Sequence, residues 1–268
     1  MIMLIDGKKL AESILAENAT KKKGELAIIS IGNDPASEVY VRNKIRACTK
    51  CGITVHHVNF PASVDEEDVS YCINWCNTSK AISGVILQLP VPEKFNAQFL
   101  INQIDPKKDV DCLTDENRGL LYIGKPRFIP CTVKGVLKLI EHYGIKTHGR
   151  RVTILGRSEL VGRPLAVILS GKDYNATVTL CNSFTGNIHG VCREADIIIS
   201  AVGISKLITP NMVHTGTVII DVGINKDEAG RICGDADFTR VAPYVSAITP
   251  VPGGVGPMTV AMLIDNIP

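Results

Sequence analysis

Seven short runs of β-branched and aliphatic residues punctuate the chain, and their spacing constrains its fold more than any other feature. They are LAIISIG (26–32), ITVHHVNF (53–60), GVILQLP (84–90), RVTILG (151–156), ATVTLC (176–181), ADIIISAVG (195–203) and TVIIDVG (217–223). Several are apolar at consecutive positions, as a strand must be when both faces of its sheet are covered. The stretches between most of them suit crossover helices, so the expected class is α/β, with parallel sheets built from right-handed βαβ units. Between the third and fourth runs, residues 105–132 are rich in charge, Pro and Gly, and the domain junction is expected there. A chain of 268 residues has room for one large or two modest domains.

The balance of 45% apolar and 21% charged residues is that of an ordinary globular protein, which excludes disorder and fibrous repeats. Lys plus Arg number 29 against 27 Asp plus Glu, so the basic face of a nucleic-acid binder is not expected. No apolar stretch approaches the ~20 residues that span a bilayer. The opening MIMLID meets a charge at Asp6 before a signal-peptide core could form. A soluble, cytoplasmic protein is therefore expected, with neither membrane nor nucleic acid as partner. The nine cysteines are expected to be free thiols of a reducing compartment. Cys48 with Cys51 and Cys72 with Cys76 could together bind zinc. The stronger reading puts them on helices as small apolar residues, with Tyr71, Ile73 and Trp75 packing beside the second pair; no metal is expected.

The segment RVTILGRSELVGRPLAVIL (151–169) reads as strand, glycine turn and helix, with Pro164 near the first helical turn. That is where a helix N-terminus would meet a phosphate. Gly156 and Gly162 are not in the dinucleotide spacing G-x-G-x-x-G. The next strand ends at Cys181-Asn182-Ser183 with no carboxylate for ribose hydroxyls. Arg157, Ser183 and Thr185 instead form a donor set suited to a 2′-phosphate, which favours NADP over NAD.

In the first half, Ser37, Tyr40 and Lys44 are spaced i, i+3 and i+7 on one expected helix face. A lysine beside an aromatic ring and away from carboxylates is a candidate base, although the helix alone favours an ordinary solvated lysine. The third strand delivers Gln88 to its carboxyl end, and Asp109-Val110-Asp111 supplies a further polar group. Near the C-terminus, TPVPGGVGPMT (249–259) combines rigid prolines with glycines that let backbone approach a ligand.

Taken in order, ASEVYVRNK (36–44), QLPVP (88–92), PKKDVD (106–111), PCT (130–132), GRSELVGRP (156–164), DVGIN (221–225), GDADF (234–238) and PVPGGVGPMT (250–259) give the whole chain a resemblance to the bifunctional methylenetetrahydrofolate dehydrogenase/methenyltetrahydrofolate cyclohydrolase family. The resemblance implies two α/β domains around a cleft. One is a catalytic, folate-binding domain, residues 1–117 with 256–268, to which the C-terminal helix returns. The other is a Rossmann-type NADP-binding domain, residues 118–255. It implies oxidation of 5,10-methylenetetrahydrofolate by NADP+, hydrolysis of the methenyl product to 10-formyltetrahydrofolate, and a homodimer. By matching motif, Lys44 is the central catalytic residue, tuned by Gln88. Tyr40 stacks on the aminobenzoyl ring, Asp111 binds the pterin, and Ser37, Pro252, Gly253 and Gly254 contact substrate. Arg157 and Ser183 hold the 2′-phosphate, Gly156 and Ser158 form the turn beneath the dinucleotide, and Thr132, Ile224 and Thr259 face the nicotinamide.

Three positions depart from the family's usual pattern: Cys112 for glycine, Val133 for proline and Asn182 for histidine. Cys112 admits an alternative in which the dehydrogenase is kept and hydrolysis is weak. A non-catalytic NADP-binding protein on the same fold is a third reading, and intact Lys44, Gln88 and Asp111 speak against it. No G-x-x-x-x-G-K-[ST] motif occurs, so formate ligation is not expected.

Overall fold

Residues 2–268 are described by a computed structural model of the protein. In chain order the first half forms β1 (Met3–Leu4), α1 (Gly7–Asn18), β2 (Glu25–Ile31), α2 (Pro35–Lys50), β3 (Val55–Phe60), α3 (Glu66–Thr78), β4 (Ile82–Leu87), α4 (Ala97–Ile101) and α5 (Asp115–Tyr122). The second half forms α6 (Cys131–His142), β5 (Arg151–Leu155), α7 (Gly162–Ser170), β6 (Thr177–Cys181), α8 (Ile188–Arg193), β7 (Ile197–Ser200), β8 (Val218–Asp221), β9 (Asn225–Lys226), β10 (Ile232–Cys233), α9 (Phe238–Val241), β11 (Ala247–Ile248) and α10 (Val255–Asn266). All seven expected strands are present. None of these helices is long and apolar enough to cross a membrane.

Two compact units result. One comprises Glu12–Cys131 with Val260–Pro268, and the other the segment ending at Ala11 with Thr132–Thr259. The change of unit at 131/132 falls within the 105–132 stretch read as the junction, and that at 259/260 lies within α10; the resemblance implied 117/118 and 255/256. Residues 2–11 belong with the second half.

In the first of these units β3, β2 and β4 form a parallel sheet in that order. Ala27, Ile29 and Ile31 of β2 pack with Val69, Ile73 and Cys76 of α3 and with Val85 and Leu87 of β4. The alternate residues Leu26 and Ile28 are buried as well, so both faces are covered and the strand reads as a continuous apolar run. Tyr71 and Trp75 do not pack as expected: they are 74% and 53% exposed, while Ile73 and Cys76 take the buried stripe of α3. A 13-residue helix has one such stripe, and its i+3 and i+4 positions are already filled.

The other unit holds a parallel six-stranded sheet in the order β1-β11-β8-β7-β5-β6. Every residue of β7 is buried. Its core joins Ile198 and Ile219 to Cys192, Met212 and Val241. The register pairs Leu155 with Cys181 and with Ser200, and Ser200 with Asp221. Four strands thus end in one row, which is the edge where doubly wound sheets hold ligands.

Candidate functional site

Helix α2 is started by its own sequence. Asp34 is the N-cap, its carboxylate accepting from Ser37 N at 2.7 Å, and Pro35 occupies the first turn. The helix carries Ser37, Tyr40 and Lys44 as expected. Tyr40 is 43% exposed, leaving its ring open to a flat ligand, and Lys44 is half-buried.

Gln88 follows β4 and is largely buried. Its Nε2 donates to Leu89 O at 2.7 Å, which fixes the amide so that Oε1 faces outward and accepts from Lys44 Nζ at 3.1 Å. Ser37 Oγ donates to the same carbonyl at 3.3 Å. Among the described residues Lys44 makes no ion pair with a carboxylate. Its partner is a neutral amide, so the ammonium is held in place without being neutralised. A cavity of about 250 Å³ opens beside Ser37 and Gln88, lined further by Ser30, Asp34, Arg42 and His57. Tyr40 and Lys44 stand outside its lining.

The two aspartates of the 109–111 segment part company. Asp109 is 1% exposed and accepts from Leu113 N (3.0 Å), Thr114 N (2.8 Å), Thr114 Oγ1 (2.8 Å) and Asn117 Nδ2 (2.8 Å). It organises the turn that leads into α5. Asp111 is half-buried and makes no hydrogen bond or ion pair among the described residues, which leaves its carboxylate available to a ligand.

In the other unit the glycines of the 156–164 turn are set by space. A Cβ on Gly162 would lie 1.9 Å from Gly156 O, and one on Gly156, whose φ is +103°, would lie 2.6 Å from Ala201 O. The helix therefore packs directly on the turn, without the G-x-G-x-x-G spacing. Ser158 Oγ accepts from Val161 N at 3.2 Å and closes the turn before α7. Arg157 is exposed and makes no ion pair among the described residues, and Ser183 is exposed beyond the adjacent strand. Thr185 is engaged in the turn that follows β6. Its Oγ1 accepts from Asn182 N at 2.9 Å, while Asn182 Oδ1 accepts from Phe184 N at 2.9 Å, so both residues shape the turn that presents Ser183. Thr132 and Thr259, far apart in sequence, stand with their hydroxyls 3.2 Å apart. Ile224 is 49% exposed beyond β8. A glycine turn under a helix, an unpaired arginine and an exposed serine fit a dinucleotide bearing a 2′-phosphate.

Two further residues were not singled out in the sequence. Asp221, the last residue of β8, is 2% exposed, and Asp235 is 0% exposed. Burial pushes the Asp221 carboxyl up to about 6, against the pull of N–H donors from Ala236, Asp235 and Gly223. The available signal was an acid inside an apolar strand in DVGIN and another in GDADF. No group of three or more His, Cys, Asp or Glu side chains is placed to hold a metal among the described residues.

Two family models match this chain. The catalytic domain of tetrahydrofolate dehydrogenase/cyclohydrolase matches residues 5–111, and the NAD(P)-binding domain of the same enzymes matches residues 130–268. The bifunctional protein FolD of Desulfovibrio desulfuricans is 46% identical over 99% of this chain and 96% of its own length. A solved structure of the bifunctional FolD dehydrogenase/cyclohydrolase from Campylobacter jejuni superposes with a TM-score of 0.96 at 38% identity, covering 99% of this chain and 97% of that one. The Trypanosoma brucei FolD, solved with NADP and an inhibitor, gives 0.92 at 34% identity over 99% and 95% of the two chains. With matches of this extent in both halves, the chain belongs to the tetrahydrofolate dehydrogenase/cyclohydrolase family.

Proposed function

We propose that this protein oxidises 5,10-methylenetetrahydrofolate with NADP+ and hydrolyses the resulting 5,10-methenyltetrahydrofolate to 10-formyltetrahydrofolate, with Lys44 as the central catalytic group. The observation that carries the assignment is the 3.1 Å bond from Lys44 Nζ to Gln88 Oε1, with no carboxylate paired to the lysine among the described residues. An amine held this way keeps a fixed position and remains free to exchange a proton.

Bound NADP+ supplies the acceptor for the hydride leaving the methylene carbon. Arg157 and Ser183 would hold its 2′-phosphate, the Gly156–Ser158 turn would receive the dinucleotide, and Thr132, Ile224 and Thr259 would serve the nicotinamide end. Oxidation leaves the carbon as an iminium stabilised by the substrate's own nitrogen lone pair, so the protein's work in this step is positioning. Tyr40 offers its exposed ring to the aminobenzoyl group, and Asp111 its unengaged carboxylate to the pterin.

Hydrolysis asks more of the side chains. Water oxygen bonds to the methenyl carbon, the bond from that carbon to N5 breaks, N5 takes one proton and one proton is released. Lys44 is placed to relay these protons, and Gln88 fixes its amine while the water adds. We further assign the protein to the cytoplasm as a homodimer acting on tetrahydrofolates. Seven of its nine free cysteines are buried, as small apolar residues that need no oxidising compartment.

The test follows methenyl formation and decay by absorbance in wild type and Lys44→Ala. Wild type is expected to carry out both steps. The variant is expected to lose hydrolysis, roughly a hundredfold or more as for a general acid–base group, with NADP+ affinity retained. Hydrolysis in the variant at the wild-type rate would remove Lys44 from the mechanism.

A further inference from the structure

Each oxygen of the buried Asp235 carboxylate carries two donors. Oδ2 accepts from Ser200 Oγ at 2.8 Å and from Val202 N at 3.0 Å. Oδ1 accepts from Ile204 N at 2.9 Å and from Asn225 Nδ2 at 2.9 Å. Asp221 holds the backbone of Asp235 in turn: its Oδ1 accepts from Asp235 N at 3.0 Å and from Gly223 N at 2.9 Å, and its Oδ2 from Ala236 N at 2.7 Å. Space reinforces the arrangement. A Cβ on Gly223 would lie 2.1 Å from Asp235 Oδ1, and one on Gly234 would lie 2.1 Å from Asp221 Oδ2.

Neither carboxylate has an ion-pair partner among the described residues. Oriented N–H and hydroxyl groups replace water around both. Burying two acids costs desolvation, which these donors offset, and apolar residues in their place would leave the N–H groups of Val202, Ile204, Gly223, Asp235 and Ala236 without acceptors. What the pair does achieve is local. The donors come from the end of β7, from the loop that follows it, and from the residue just after Ile224. Those segments extend from the adjacent ends of β7 and β8, whose last residues Ser200 and Asp221 are paired in register. That edge is where a doubly wound sheet receives its ligand.

We propose that Asp235 is a positioning residue for the nicotinamide half of NADP, its carboxylate holding Val202–Ile204 and Ile224–Asn225 in the arrangement that receives the ring. It acts through those segments. The proposal rests on the dehydrogenase/cyclohydrolase reading above and adds to it a residue that fixes cofactor geometry.

The experiment compares wild type with Asp235→Asn. The amide keeps one acceptor oxygen, but its NH₂ faces two donors, so at least two of the four bonds are lost. Measured are the NADP+ dissociation constant by calorimetry, the KM values and kcat of oxidation, and hydrolysis of supplied methenyltetrahydrofolate without cofactor. Expected is a loss of NADP+ affinity of about tenfold or more, the scale of one or two charged hydrogen bonds. Loss of hydrolysis is expected to be much smaller. Unchanged NADP+ affinity, or parallel loss of affinity and hydrolysis, overturns the proposal. Ser200→Ala and Asn225→Ala each delete one bond and decide the matter if Asp235→Asn does not fold. Both are expected to weaken NADP+ binding severalfold, and wild-type affinity in both overturns it. Absence of oxidation and hydrolysis in wild type would instead strike the underlying reading, because NADP+ binding is scored separately.

Discussion

Cys112 has φ of +59°, in the left-handed region where a Cβ crowds the following carbonyl at a cost of about 1–2 kcal/mol. The family's usual glycine carries no such cost, so the departure seen in the sequence has a backbone meaning. The cysteine is accommodated by burial: it is 1% exposed and its Sγ donates to Phe128 O at 3.2 Å. Burial pushes the thiol up to about 12, with Asp109 and Asp111 adding to the effect, so it stays protonated and unreactive. Replacing Cys112 by Ala removes the sulfur and keeps the strain, whereas Gly removes both. Cys112→Gly is therefore expected to be more stable than Cys112→Ala by about 1 kcal/mol, opposite to the usual order of these residues. Chemical denaturation of the two variants measures the difference, and an Ala variant at least as stable as the Gly variant contradicts it. At this scale the sequence singled out Lys44, Gln88, Thr132 and Thr259, and the structure brings Lys44 to Gln88 and Thr132 to Thr259. Asp109 and Asp111, two apart in the motif, were told apart in the sequence only by the family resemblance, and the structure adds that the turn consumes the Asp109 carboxylate.

At the scale of elements, the β5 turn and α7 behave as one part because Gly162 lets the helix start against Gly156 O. A methyl group there meets backbone rather than a flexible side chain. Gly162→Ala is expected to lower stability by about 1–3 kcal/mol, as overpacking does, and to weaken NADP+ binding together with it. Calorimetry with and without NADP+ reads both, and a variant with native affinity would show that the close approach serves folding alone. The seven long runs were legible because strands buried on both faces leave few polar positions. β1 and β11 were not, since each has two residues and finds its sheet partners far away in sequence. Nothing local marks such a strand. Nor could composition separate Trp75 and Tyr71 from packing residues, because the helix had more large side chains than its buried stripe could hold.

At the scale of the molecule, the chain changes unit three times: within α1, at the start of α6 and within α10. The sequence showed the return of the C-terminus through the motif order. It gave no sign that the N-terminus crosses the other way, because MIMLID is too short to display a period. Met262, Leu263, Ile264 and Ile267 are each 1% exposed or less, and Asn266 Nδ2 donates to Val110 O and Ile129 O at 2.8 and 3.0 Å. At about 1.5–3 kcal/mol for each large buried side chain, their loss is comparable with the roughly 5–15 kcal/mol that stabilises a whole domain. A chain ending at Thr259 is expected to lose hydrogen-exchange protection in β2, β3 and β4. Native protection of those strands in the truncated protein would show that residues 260–268 are dispensable to the unit.

The same connectivity sets a schedule for biosynthesis. Residues 12–131 emerge from the ribosome before residues 132–259, and their unit lacks its last segment until those have been made. At about 5–20 residues per second that interval is on the order of ten seconds, during which the sheet of β3, β2 and β4 waits unfinished. The two units thus mature nearly together once residues 260–268 have been added, and the nascent chain is exposed to chaperones throughout the wait.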